Sequence, residues 1–141
     1  MSIAHRIEIK ASREAVFALY ANISSWCDWD TEVQAVHLSE GLRVGSHGWL
    51  KPRQGPKAKI RVTEVVPNVS FTVEGMLPLC RMEFGHELLS QADCTVAAHS
   101  VRFVGPLAFL FRRLIGRGID STLPDTLAGL KRASERSIHL T

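Results

Sequence analysis

Gly105 to Glu135, GPLAFLFRRLIGRGIDSTLPDTLAGLKRASE, is the one segment of the chain with a continuous apolar stripe at helical spacing. Leu107, Phe111, Ile115, Ile119, Leu123, Leu127 and Leu130 recur three or four residues apart, which puts them on one face of a helix that must be buried. No other helical stretch is long enough to cover that face, so its partner has to be a sheet built from the preceding strand-like runs. Pro124 lacks an amide hydrogen and its ring clashes with the turn before it, which predicts a kink or break near Ser121 to Leu123, softened further by Gly116 and Gly118. On this reading the part after Pro124 is the helix held by the sheet. Leu107 to Ile119 is expected to lie across a cavity mouth as a movable lid.

Upstream, Ile3, Ile7 and Ile9 alternate with charged residues, the period-two pattern of a half-buried strand. Ser12 can cap a short helix over REAVFALYANI, with Val16, Leu19, Tyr20 and Ile23 facing inward, and a second short helical turn carries Trp26 and Trp29. From there on, strands alternate with turn signals: Gln34 to Leu38, Ser46 to Lys51, Lys57 to Val66, Ser70 to Met76, Leu79 to Leu89 and Cys94 to Val104. Short strands closed by hairpin-length loops argue an antiparallel meander, seven strands in all. With no repeat, low-complexity tract or linker, residues 1–141 are expected to form a single domain of α+β class.

Bulk composition agrees with that. A chain of 141 residues buries roughly 68–70% of its unfolded surface and needs no staples. The start MSIAHRIEIK lacks the apolar core of a signal peptide and no run is long enough to span a bilayer, so the expectation is a cytoplasmic protein. Cys27, Cys80 and Cys94 form no C-x-x-C pair and read as small buried hydrophobes. The net charge of +3 comes wholly from the C-terminal segment, where Arg112, Arg113, Arg117, Lys131, Arg132 and Arg136 stand against Asp120, Asp125 and Glu135. A basic stripe opposite an apolar one reads as the solvated face of an amphipathic helix, with transient contact to an anionic membrane as the sharper alternative. Nucleic acid is not expected, because no binding motif accompanies the charge.

Four stretches together resemble one known family: ASREAVFALYANISSWCDWD, VGSHG, RVTEVVPNVSFTVEG, and VRFVGPLAFLFRRLIGRGIDSTLPDTLAGLKRASE. In this order they are similar to the polyketide cyclase/dehydrase and lipid transport family of the SRPBCC superfamily, which also holds START domains. The resemblance implies a helix-grip fold, a seven-stranded curved antiparallel sheet around the long C-terminal helix with two short helices after strand one. It also implies a cavity for an apolar small molecule. The family has no common catalytic signature to transfer.

The last hairpin can be read for facing. Cys80, Met82, Phe84, His86 and Leu88 share one side, and a loop of two or four residues sets them against Ala97, His99, Val101 and Phe103. In that register His86 and His99 lie opposite or diagonal to one another on the concave face. Three readings stand side by side: wall residues satisfied by water or backbone, a pair that orients a ligand carbonyl or hydroxyl, and general acid/base groups of a cyclase or dehydrase. The expected ligand-contacting set adds Trp29, Trp49, Phe71, Met82, Phe84, Val101, Phe103, Phe111, Ile115 and Ile119. No metal site and no cofactor are expected, since no carboxylate or third histidine shares the hairpin face. A nucleophilic triad has no G-x-S-x-G turn to sit on. The leading expectation is binding or transport of a lipid, quinone or polyketide-like molecule; the oligomeric state is left open.

Overall fold

The computed structural model describes residues 2–139. Strand β1 (Ser2–Ile9) is followed by helix α1 (Arg13–Ala21), a 3-10 turn (Ile23–Ser25) and the single turn α2 (Trp26–Trp29). Six strands come next, β2 (Val33–Leu38), β3 (His47–Pro52), β4 (Ala58–Val66), β5 (Ser70–Leu77), β6 (Cys80–Gln91) and β7 (Cys94–Val104), and then the long helix α3 (Ala108–His139). The seven strands form one antiparallel sheet in the order β1-β7-β6-β5-β4-β3-β2. Hairpins join β2 through β7 in sequence, while α1 and α2 carry the chain from β1 at one edge to β2 at the other. This is the helix-grip architecture.

Local chemistry explains the elements. The Ser12 side chain accepts from the amide of Ala15 and starts α1, which buries Val16, Phe17 and Tyr20. Alternation in β1 puts Ile3, His5, Ile7 and Ile9 on the concave side and leaves Ala4, Arg6 and Glu8 exposed. Irregularities at Val33/Ala35 and Val62/Glu64 bend their strands and help curl the sheet. The β6–β7 loop is the two residues Ala92 and Asp93, because pairing continues to Gln91 opposite Cys94.

Several expectations are corrected. The long helix begins at Ala108 rather than Gly105, since Gly105 takes a φ of +123° in the turn that precedes it. It does not break at Pro124, which is exposed and lies inside a helix that continues unbroken to His139. Ile115 is 37% exposed and not part of the buried stripe. In its place Gly116 turns inward, where an added Cβ would sit 3.5 Å from Ile3 Cδ1. Leu79 lies outside β6, in the hairpin turn, with a left-handed φ of 53°. Of the cysteines, Cys80 alone is buried; Cys27 and Cys94 are half-buried.

The rear of α3 is clamped. At Gly129 the helix backbone rests on α2 so closely that a Cβ would stand 1.9 Å from the Trp29 carbonyl oxygen. Beside it, Asp30 Oδ1 accepts from Thr126 Oγ1 at 3.0 Å, and further on Glu135 accepts from the backbone amide of Lys10 at 2.9 Å. Leu127 and Leu130 are fully buried there. Gly118, by contrast, faces open space. Gly129→Ala is therefore expected to destabilise by roughly 1–3 kcal/mol, the usual range for overpacking, while Gly118→Ala stabilises by about 0.5–1 kcal/mol through helix propensity. Urea denaturation of both variants checks this: equal effects would show that the α2 contact does not constrain the helix.

Candidate functional site

The concave face can be followed in rows across the sheet. One row runs Ile60, Gly75, Met82, Phe103, and the next Val62, Val73, Phe84, Val101, Ile3. Both are apolar, and Phe111, Ile119 and Leu123 of α3 pack over their β6–β7 end as half-buried side chains. The third row is different: Val65, Phe71, His86, His99, His5. Three histidines therefore stand directly opposite one another on β6, β7 and β1.

Each histidine is held differently. The His86 ring stacks flat on Phe71, with centroids 3.9 Å apart and planes 4° from parallel, and its Nδ1 donates to the Phe71 carbonyl at 3.2 Å. His99 meets His86 edge-on at 4.6 Å, and its Nε2 lies 2.8 Å from the Tyr20 hydroxyl. His5 turns away toward α3, its Nε2 2.7 Å from Asp120 Oδ1. Above the row, Tyr20 is packed by Phe71 and Trp29, and Trp26 donates its indole N–H to the Tyr20 carbonyl. The indole N–H of Trp29 is buried without an acceptor.

Protonation states follow from burial. Desolvation pushes His86 down to about 4, against two backbone hydrogen bonds that favour the cation. Desolvation, reinforced by the neighbouring His86, puts His99 well below the ordinary histidine value. Burial also raises Tyr20, so the phenol stays protonated and donates to His99 Nε2. At neutral pH the cluster is an uncharged Tyr–His–His group. His86, with Nδ1 engaged, carries its free lone pair on Nε2. Although its surroundings desolvate it, His86 is only partly buried and keeps accessible surface.

The structure thus brings Phe71, Met82, Phe84, His86, His99, Val101 and Phe103 onto one concave face, with Trp29 above it and Phe111 and Ile119 at the helix seam. Trp49 does not join them. It pairs with His37 and lies under the Lys57 ammonium on the convex side, because the register of β2 and β3 turns Val36 and Leu50 inward instead. Ile115 points outward as well. Tyr20 and His5 complete the polar row but were not in the expected set. The signal for His5 lay in the alternation of β1, which places it among Ile3, Ile7 and Ile9.

Two surface depressions, of about 270 and 290 Å³, open elsewhere. One is bounded by Trp29, Arg132 and Arg136, the other by Arg6, Glu87 and Leu89, and neither is lined by His86 or His99. Among the described residues no three His, Cys, Asp or Glu side chains are placed to hold a metal ion.

No family model and no curated protein matches the chain. Solved structures do match its fold along nearly the whole length. A protein from Mesorhizobium loti superposes with a TM-score of 0.79 at 16% identity, over 96% of this chain and 98% of its own. The Aha1 dimer from Colwellia psychrerythraea gives 0.73 at 20% identity, over 96% of both chains. The di-domain ARO/CYC protein StfQ of the steffimycin biosynthetic pathway gives 0.77 at 8% identity, over 99% of this chain and 52% of its own. At these identities the likeness is one of fold.

The buried pair has a consequence for stability. Unfolded histidine takes up a proton near pH 6.5 whereas folded His86 does so only near pH 4, so between those values the unfolded state binds more protons and stability falls as the pH falls. His86 alone accounts for about 3 kcal/mol of loss by pH 4, and His99 adds in the same direction. Above pH 7 neither contributes. Urea midpoints at pH 7.5 and 4.5 should differ less in His86→Phe, which keeps the stack on Phe71 and removes the titrating group. An unchanged difference would mean that His86 is not desolvated.

Proposed function

We propose that this chain binds an apolar small molecule of the lipid, quinone or polyketide class between the concave sheet and the front half of α3, as a binding or transport module. One observation carries the reading. Along α3, Leu127, Leu130 and Ser134 are sealed against the body, whereas Phe111, Ile119 and Leu123 are only half-buried over an apolar floor of Met82, Val101 and Phe103. That is an apolar seam left open beside a polar end, the usual composition of a small-molecule site.

The polar end adds chemistry. His86 is half-buried and stands in the row next to that apolar floor. A ligand hydroxyl there would find the Nε2 lone pair as acceptor. The indole N–H of Trp29 is a second group that lacks a partner, and an unmade buried hydrogen bond costs about 1–3 kcal/mol. A mainly apolar ligand with one or two oxygens suits this set. Likeness of fold to the ARO/CYC protein supports the same class of molecule.

The second reading is a cyclase or dehydrase with His86 and His99 as acid/base groups. It is favoured by their contact with each other and with Tyr20. Their depressed basicity weighs against it, because a general base works best with a pKa near the operating pH. Orientation of a ligand asks nothing of that kind.

Titration with N-phenyl-1-naphthylamine, an apolar dye whose emission rises out of water, tests the binding reading. Saturable one-to-one uptake is expected, and native mass spectrometry of freshly purified protein should show a retained apolar adduct. Ile119→Trp, which fills the seam, should weaken dye uptake by about tenfold or more and leave the fold intact by circular dichroism. Uptake unaffected by Ile119→Trp, or none at all, would sink the proposal.

A further inference from the structure

The front of α3 presents a surface that the ligand site does not use. Phe109 and Leu114 are each 67% exposed, and Leu110 and Ile115 are exposed beside them. Leu110 and Leu114, four residues apart, form an outward stripe. Arg113 and Arg117, again four apart, run alongside it. Among the described residues neither arginine has a carboxylate within ion-pair distance.

A second element reaches the same end of the molecule. The β5–β6 turn is tied to the start of α3, with the amide of Leu107 donating to the Leu79 carbonyl at 3.1 Å. At the turn's tip Leu79 is 68% exposed and adopts a φ of 53°, a conformation that glycine or asparagine takes at lower cost. A leucine strained into that position, with its side chain in water, gains nothing for the fold. Its apolar tip is carried on the turn that the Leu107–Leu79 bond ties to the start of the helix.

We propose that this end of the molecule, the Leu79 turn together with the first three turns of α3, docks on an anionic lipid membrane. The arginines decide the occupant. In a protein interface each unpaired guanidinium needs a carboxylate at a fixed place, whereas a fluid layer of anionic headgroups satisfies both while the leucines and Phe109 enter the acyl boundary. The charge asymmetry agrees, since the whole net charge of +3 arises from the segment containing this helix. No helix of the described residues is long and apolar enough to cross a membrane, so the contact is interfacial. This inference rests on the surface alone and stands or falls apart from the internal ligand.

Cosedimentation of the full chain with vesicles of phosphatidylcholine, with and without phosphatidylglycerol, tests it. Binding is expected to the anionic vesicles, to fall with added salt and to be weak on phosphatidylcholine alone. Arg113→Gln and Arg117→Gln should each lower partitioning about fivefold. Leu79→Asn, which relieves the left-handed strain and so folds at least as well, should also lower it, as should Leu114→Gln. No binding to anionic vesicles at low salt overturns the proposal, and so does equal binding to both vesicle types. Full binding by all four variants would overturn the location. Concentration-dependent self-association abolished by Leu114→Gln, without vesicle binding, would assign the patch to a second copy instead.

Discussion

The contact between the Gly129 backbone and the Trp29 carbonyl sets the position of everything else. It brings the rear of α3 down onto α2, and α2 in turn holds Trp26 and Trp29 against Tyr20 and Phe71. Asp30 reinforces the joint: burial pushes its carboxyl up, against the hydrogen bonds from Glu32 and Thr126 that pull it down. With the rear fixed, the front of the same rigid helix can only extend over β1 and β7, where the turn at Gly105 and the His5–Asp120 pair hold it. One helix is thus clamped at one end and more lightly tied at the other.

That asymmetry has an energetic meaning. Full burial of a leucine contributes about 1.5–3 kcal/mol, and Leu127 and Leu130 both receive it. Phe111, Ile119 and Leu123 receive only part, and the exposed His5–Asp120 pair adds little in water. Local opening free energies follow buried contact, so the front of α3 separates from the sheet at lower cost than the rear. This half-closed packing arises without a break at Pro124.

The sheet and its facing were legible in the sequence because a two-residue hairpin and a period of two leave little freedom: once Ala92 and Asp93 form the turn, His86 must face His99. Other features depend on contacts that no local pattern encodes. Spacing of three and four put Ile115 in the buried stripe, but Gly116 faces the sheet there instead, next to the Ile3 side chain. Trp49 was assigned by size alone, yet in β3 its neighbour Leu50 takes the inward face and Trp49 pairs with His37 on the convex side. Pro124 was expected to interrupt the helix; it sits on the exposed side, where the unpaired carbonyl before it reaches solvent. Tyr20 enters the site only through the tertiary fold, from a helix remote in sequence from both histidines.

The histidine row is held by hydrogen bonds to two other elements. Between His86 and His99 a charge would be costly, so both stay neutral, and a neutral imidazole both donates and accepts. Tyr20 consumes the acceptor of His99, and the Phe71 carbonyl consumes the donor of His86. The acceptor nitrogen of His86 and the second nitrogen of His99 are left over from these bonds. The fold has therefore spent one nitrogen of each ring on its own structure. An acid/base role would draw on the Tyr20–His99 bond, which ties α1 to the sheet, and on the His86–Phe71 bond between neighbouring strands.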